Sequence, residues 1–120
     1  MNWMLALLLT MTMMQPLTGS ATWYSDCTNP GCYMKNGQVY DPDALTCAVD
    51  VLMYADLVGK TALVCAGDRC VPCEVSDSGY LADAIDPVLV DLTPRAFRAL
   101  RAYDVNDNDG RLPVTVWVIP

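Results

Sequence analysis

The side chains that could do chemistry in this chain are carboxylates, tyrosines and thiols, because the sequence contains no histidine. One carboxylate stands out in the stretch VSDSGYL at residues 75–81, where strand-like sequence runs directly into Asp77 and a glycine. Histidine is the commonest general base, and its absence excludes Ser–His and Cys–His mechanisms. Any catalysis must therefore depend on carboxylates, tyrosines or thiols.

The charge balance narrows the classes of partner. The 120 residues leave room for one domain, and 14 acidic against 7 basic side chains give a net charge of −7. Nucleic-acid binding needs a basic surface that releases counterions, and anionic membranes attract basic rather than acidic proteins. The composition therefore argues against both nucleic acids and membrane surfaces as partners.

The first residues predict an export signal. Trp3–Met14 is an apolar run of 12 residues, interrupted only by two threonines, and the first 21 residues carry no charged side chain. A membrane-spanning helix needs about 20 apolar residues, so we expect no stable span. The run fits the apolar part of a secretory signal, followed by small residues suited to cleavage. We expect a signal peptide or N-terminal apolar segment at residues 1–20, one domain at 21–120, and a secreted, periplasmic or cell-surface protein.

Six cysteines follow this segment, and an even number in a short exported domain predicts disulfides. The turn AGDR between two strand-like runs places Cys65 opposite Cys70, at a separation that a disulfide accepts. Cys27 and Cys32 flank the turn TNPG and can close a second local loop.

The last two cysteines, Cys47 and Cys73, form a third pair by elimination. The stretch CVPC at residues 70–73 also suggests a redox or zinc motif. However, strand-like sequence follows it rather than a helix N-terminus, and no histidine is present to complete a zinc site. Structural disulfides are therefore favoured, and we expect no metal and no cofactor.

Periodicity and turn residues predict a mainly β domain. SATWYS, KTALVC, CVPCEVS and LPVTVWVIP have strand patterns, although Pro72 makes the third of these an edge strand or a bulge. LTPRAFRALRAYDV predicts the one clear helix, with Thr93 as N-cap and Pro94 at the first helical position. LTCAVDVLMYADLVG fits either a strand or a helix. Several strands with one helix and long loops indicate a closed or nearly closed sheet.

Five stretches in order, GSATWY, NGQVYDPDALTCA, VSDSGYL, VDLTPRAF and LPVTVWVI, span nearly all of the chain after the leader. Together they resemble the double-psi β-barrel of the rare lipoprotein A-like and barwin/expansin-like proteins. The resemblance implies a mainly β fold, a six-stranded double-psi β-barrel with one or two short helices and loops stapled by disulfides.

The resemblance also implies a site. It makes Asp77 a candidate acid/base at the end of a barrel strand, facing a substrate groove, with Asp41 and Asp91 as further catalytic positions. In the lytic members one such carboxyl can serve both steps of an intramolecular glycan cleavage. This chain has Gln38 and Val49 where those members have Glu and His, and neither side chain ionises.

The remaining polar and aromatic residues are closer to the expansin pattern, in which aspartates and groove aromatics bind polysaccharide without efficient cleavage. Aromatic rings stack on the apolar faces of sugars, and carboxylates accept hydrogen bonds from their hydroxyls. The resemblance thus implies a set of glycan-binding residues, some of which can instead belong to the core: Trp23, Tyr24, Gln38, Tyr40 and Tyr80.

Three functions follow as hypotheses. The first is an exported barrel that binds a peptidoglycan or related polysaccharide strand with little or no lytic activity. The second is an enzyme, a peptidoglycan lytic transglycosylase that uses Asp77. The third is a structural surface or virion protein without a glycan ligand, which the acidic charge favours because many wall polymers are anionic.

Overall fold

The computed structural model describes residues 15–25, 32–82, 85–101 and 110–120. In these residues six strands close into one barrel, in the order β1-β5-β2-β4-β3-β6. The predicted mainly β fold with a six-stranded barrel, two short helices and a disulfide is confirmed. The elements, in chain order, are β1 (Leu17–Trp23), β2 (Thr46–Asp50), α1 (Val51–Leu57), β3 (Thr61–Ala66), β4 (Arg69–Gly79), β5 (Val90–Leu92), α2 (Pro94–Leu100) and β6 (Leu112–Ile119).

Two parallel pairings bring distant parts of the sequence together. β1 pairs with β5, and β2 pairs with β4, whereas the other four contacts of the barrel are antiparallel. The β1–β5 register sets Thr22 beside Asp91, and the β2–β4 register sets Ala48 beside Asp77. Because Ala48 of β2 also pairs with Asp91, the barrel places Asp77 and Asp91 on the two strands that flank β2.

The core follows the alternation of the strands. Every second residue of β3 and of the first part of β4 points inward, as expected for strands with one buried face. Helix α2 packs against the barrel and buries Ala96, Phe97 and Leu100. Burying a side chain such as that of Phe97 contributes roughly 1.5–3 kcal/mol to the free energy of unfolding. The N-cap of α2 is Thr93, as predicted, and its side chain accepts a hydrogen bond from the Ala96 amide at 3.4 Å.

The β3–β4 hairpin forms where it was predicted, but its turn is shorter than the four residues AGDR, because Ala66 and Arg69 pair with each other. Its turn has only two residues, and the first, Gly67, adopts a φ of 60°, which glycine tolerates without steric cost. Cys65 and Cys70 face each other and form the predicted disulfide. Pro72 lies where β4 pairs with β3, before the pairing with β2 starts at Glu74. Its missing N–H thus costs no hydrogen bond to β2.

The other cysteines differ in state. Cys32 is disulfide-bonded, while Cys27, its predicted partner, lies outside the described residues. Cys47 and Cys73 are buried free thiols whose sulfur atoms lie 2.9 Å apart. The bridge predicted between them by elimination is therefore not closed in this structure, although the two side chains are neighbours.

The stretch that fitted either a strand or a helix contains both. Buried strand β2 ends at Asp50, and α1 begins at the next residue. The Asp50 carboxylate caps the helix by accepting from the Leu52 amide at 3.1 Å. It also accepts from the Leu81 and Ala82 amides at 3.1 and 2.9 Å, which ties the segment after β4 to the helix.

Strand β1 begins inside the segment assigned to the leader. Leu17–Ser20 pairs with β6, in a register that sets Leu17 beside Val116 and Ser20 beside Pro113. Cleavage after residue 20 would remove this part of the strand, so a boundary near residue 16 would be needed to keep β1 whole. In the described ranges, no helix has both the length and the apolar character required to cross a bilayer.

Candidate functional site

A β-bulge turns Asp77 away from the barrel interior. Along β4, Val71, Cys73 and Val75 are buried, so a regular strand would bury Asp77 as well. The register with β2 shifts at this point, because Cys47 faces Val75 while Ala48 faces Asp77. Ser76 is the extra residue and is itself fully buried. Bulges of this kind redirect side chains next to functional sites.

Three donors from three parts of the chain converge on the Asp77 carboxylate. The Tyr24 hydroxyl donates to one oxygen at 3.0 Å. The Lys35 and Ser78 amides donate to the other oxygen, each at 2.9 Å. Burial and the neighbouring Asp77 charge raise the pKa of Tyr24, so the phenol keeps its proton and acts as a donor.

A second hydroxyl–carboxylate pair lies on the same side of β1. The Thr22 hydroxyl donates to Asp91 at 2.8 Å, across the parallel β1–β5 register. Burial raises the pKa of Asp91; the Thr22 hydrogen bond opposes this rise, and the nearby Asp77 charge adds to it. A carboxyl that holds its proton to higher pH is the better proton donor. Its raised pKa therefore suits Asp91, which the resemblance also gives as a catalytic position, to an acid role.

Comparison with known proteins bears on the fold. No protein-family model and no curated protein matches this chain. Solved structures do match it. The Clavibacter michiganensis expansin without ligand has a TM-score of 0.68 and 23% identity, over 88% of this chain and 51% of the expansin chain. A mutant of that expansin in complex with cellohexaose has a TM-score of 0.67 and 22% identity over the same shares.

The Streptomyces papain inhibitor is similar to the same degree, with a TM-score of 0.66 and 22% identity. The match covers 88% of this chain and 96% of the inhibitor. The fold is that of an expansin-like double-psi barrel. This chain spans about half the length of the expansin chains, and at such identities the likeness establishes the fold alone.

Within this expansin-like barrel, Tyr24 and Tyr40 form a ring pair beside Asp77. Their ring centroids lie 4.8 Å apart, and the Tyr40 hydroxyl donates to the Tyr24 carbonyl. Tyr40 is buried, whereas Tyr24 is partly exposed. Of this pair, Tyr24 is the one whose ring a ligand can reach, and Tyr40 packs against it.

A short hairpin forms one border of the site. Tyr33 and Val39 form a β-bridge that closes the hairpin. The backbone amide of Asn36 donates to the Ser76 carbonyl at 3.1 Å, which anchors the hairpin on the bulge. Gln38 is exposed, and its side-chain oxygen accepts from the Asn36 amide group at 3.0 Å. The hairpin also exposes 68% of Tyr33, an aromatic residue that the sequence analysis did not select. Tyr33 lies two residues before Lys35, whose backbone amide donates to Asp77, so the hairpin brings it to the border of the site.

The other predicted site residues are more dispersed. Asp41 is exposed and accepts from the Asp43 amide at 2.9 Å, which is the role of an aspartate that shapes a turn. Tyr80 is 78% exposed just beyond β4. Trp23 is the residue before Tyr24, but its ring packs against Phe97 of α2 at a centroid distance of 6.4 Å. Val49, which the resemblance aligns with a histidine of the lytic proteins, is buried in the core.

Proposed function

We propose that this protein is an exported expansin-like barrel that binds cell-wall glycan, with little or no lytic activity. The observation that carries the proposal is the convergence of the Tyr24–Asp77 and Thr22–Asp91 pairs at one end of β1. Carboxylates and hydroxyls in a partly buried site suit the hydroxyl groups of a sugar, and the exposed edge of Tyr24 suits its apolar face. The expansin complex with cellohexaose supports a polysaccharide as the ligand class.

Export is part of the proposal. Cys65–Cys70 is a disulfide, and Cys32 is also disulfide-bonded, which is typical of proteins that fold in an oxidising compartment. The apolar residues at the start of the sequence are consistent with this route. We therefore place the protein outside the cytoplasm, at or near the wall polymer that it binds.

Weak or absent lysis is argued from the residues that surround the two aspartates. Gln38 takes part in a turn and cannot ionise, and Val49 is buried and apolar. Asp77 accepts three hydrogen bonds from the protein itself, so its oxygens are largely occupied. A lytic transglycosylase reaction would depend on one of the two aspartates: Asp77, as the resemblance implies, or Asp91, whose raised pKa suits an acid.

The test of binding is retention on insoluble glycans. Wild-type protein should bind peptidoglycan or cellulose, and Asp77→Asn should weaken binding by roughly tenfold, because it disturbs the hydrogen bond that holds Tyr24 in the site. Asp56→Asn is the matched control, because Asp56 is an exposed aspartate of α1. Absence of retention on any glycan would contradict the proposal and favour the structural surface or virion protein.

The test of lysis uses Asp77→Asn, Asp91→Asn and the control Asp56→Asn. Purified peptidoglycan incubated with the wild type should yield no more anhydro-muropeptides, by mass spectrometry, than peptidoglycan alone. Product formed by the wild type and by Asp56→Asn, but lost in Asp77→Asn or in Asp91→Asn, would instead establish a lytic transglycosylase and identify its acid.

A second candidate function comes from the extent of the match. The match extends over 96% of the papain inhibitor but over only 51% of each expansin, so protease inhibition is the second candidate. A papain assay with a fluorogenic peptide separates the two functions. Inhibition at equimolar protein that survives Asp77→Asn would favour a protease inhibitor, whereas full papain activity supports the glycan-binding barrel.

A further inference from the structure

A cavity on the other side of the end of β1 is not used by the aspartate site. Its volume is about 290 Å³, and Trp23, Pro94, Phe97, Arg98 and Arg101 line it. Small-ligand sites have volumes of roughly 300–1,000 Å³, so this cavity suits a ligand of about one sugar ring. Two of its walls are aromatic, since the Trp23 and Phe97 rings lie 6.4 Å apart and are tilted by 45°.

The cavity is basic in an otherwise acidic protein. Arg98 and Arg101 are two of the chain's 7 basic residues, and the net charge of the chain is −7. Arg98 is exposed in the last turn of α2, and Arg101 follows three residues later, on the same side of the helix. The Arg101 guanidinium lies 5.7 Å from the centre of the Phe97 ring. The backbone carbonyl of Arg101 accepts a hydrogen bond from the Arg69 guanidinium at 2.8 Å. The aromatic walls and the positive charge are thus held in one place.

The cavity and the aspartate site border the same strand end. Trp23 lines the cavity, and the next residue, Tyr24, donates to Asp77. Consecutive Cα atoms are about 3.8 Å apart, and consecutive side chains of a strand point to opposite sides. A glycan of a few units that passes over this end of β1 can therefore contact both places.

We propose that the cavity binds a carboxylate-bearing sugar unit, with its ring against Trp23 and its carboxylate on Arg98. The chemistry is that of a planar guanidinium, which receives a carboxylate through two parallel hydrogen bonds, next to rings that stack on the sugar. The inference rests on the proposed glycan-binding function and specifies its ligand: the glycan is anionic. A net charge of −7 would repel such a polymer elsewhere on the surface, so the cavity would also fix its orientation.

The experiment is calorimetric titration with matched oligosaccharides. Two acidic ligands, a galacturonate oligomer and the N-acetylglucosamine–N-acetylmuramic acid disaccharide, represent the two sources of a sugar carboxylate. The methyl esters of both, and cellohexaose, are the neutral ligands. Arg98→Gln removes the guanidinium, Arg98→Lys keeps the charge without the two-pronged geometry, and Lys60→Gln is the control. Lys60 precedes the first residue of β3, whereas the last residue of β3 pairs with Arg69, which donates to the Arg101 carbonyl of the cavity. Six residues of strand separate these two ends by roughly 20 Å, so Lys60 lies far from the cavity.

At least one acidic ligand should bind about tenfold more tightly than its methyl ester, and Arg98→Gln should abolish that difference. Arg98→Lys should restore it only in part, and Lys60→Gln should leave it unchanged. Equal binding of acidic and neutral ligands, or an acidic preference that survives Arg98→Gln, would overturn this inference while the glycan-binding function stands. Failure of every ligand to bind would overturn the proposed function together with it.

Discussion

The Tyr24 hydroxyl lies 3.0 Å from a carboxylate oxygen of Asp77, although 53 residues separate them in the chain. Tyr24 directly follows the last residue of β1, and Asp77 lies in the bulged part of β4. The strands that carry them are not neighbours in the barrel order, so this hydrogen bond links elements that the sheet itself does not join. It holds the candidate carboxylate against the ring pair that borders the site.

Tyr24→Phe tests the contribution of this hydrogen bond. The variant keeps the ring that packs on Tyr40 but removes the donor, and we expect a loss of about 1 kcal/mol in the free energy of unfolding. Urea denaturation measures it, with Tyr80→Phe as the control because Tyr80 is largely exposed. Equal effects of the two substitutions would show that the Tyr24–Asp77 bond does not stabilise the fold.

The parts of the fold that the sequence predicted are those with local signals. The β3–β4 hairpin has alternating strands, a glycine in its turn and two cysteines in opposite positions. Helix α2 has a threonine N-cap followed by proline, and the apolar residues that it buries recur at helical spacing. Each of these features lies within a few residues of the structure that it determines, so no knowledge of tertiary contacts was needed.

The features that escaped prediction depend on distant partners. No local pattern marks Ser76 as a bulge, because the register with β2 creates it. The Thr22–Asp91 pair joins residues 69 positions apart through a parallel pairing, which a single sequence does not specify. Asp50 lies between a strand and a helix with no glycine or proline nearby, so the change of period was hidden inside an apolar run.

Asp91 should make stability depend on pH in the direction opposite to most carboxylates. The pKa of an aspartate in an unfolded chain is about 3.9, and burial raises the pKa of Asp91 in the folded protein. Between these two values the folded state binds more protons than the unfolded state, so stability falls as pH rises through this window. Asp91→Asn, which resembles the protonated form, should therefore gain stability relative to the wild type at pH 7 compared with pH 3.

Urea unfolding of both proteins across this pH range measures the effect. Thr22→Val is a second arm, because the Thr22 hydrogen bond lowers the pKa of Asp91 and its loss should raise that pKa further. Carboxyl chemical shifts in a pH titration report this change directly. A stability difference between wild type and Asp91→Asn that does not vary with pH would contradict the prediction.

Asp50 should behave in the opposite way. Hydrogen bonds from the Ala82 and Leu52 amides lead the contributions that lower the pKa of its carboxyl. The stability that Asp50 contributes is present above its pKa in the unfolded chain, about 3.9, and is lost as pH falls through its lower pKa in the folded protein. We expect Asp50→Ala to lower the melting temperature at pH 7 and to have a smaller effect at pH 2. Asp56→Ala, on the same helix but exposed, should melt like the wild type at both values; a matching loss there would assign the effect to helix charge rather than to the cap.

The buried thiols of Cys47 and Cys73 should close into a disulfide when the protein folds under oxidising conditions. Their sulfur atoms are 2.9 Å apart, on the paired strands β2 and β4. The contact with Cys73, together with burial, raises the pKa of the Cys47 thiol, so thiolate is scarce once the barrel has formed. Closure is therefore expected during folding: the two thiols give up two protons and two electrons, which reduce oxidised glutathione to two molecules of glutathione. Refolded wild-type protein, unfolded and treated with iodoacetamide, should show no labelled cysteine, and a peptide map should join Cys47 to Cys73.

The bridge would close a loop of 26 residues, which in the chain-entropy model contributes about 3.5 kcal/mol. Refolding with and without oxidised glutathione should therefore change stability in a Cys65→Ser/Cys70→Ser background, where the hairpin bridge is absent and cannot respond. The matched control adds Cys47→Ala and Cys73→Ala to that background. In this control, oxidised glutathione should no longer raise the free energy of unfolding by the amount that closure of this bridge provides. Labelling of both Cys47 and Cys73 after oxidative refolding would show that the barrel keeps them as thiols, and the pair would then be a packing contact of the core.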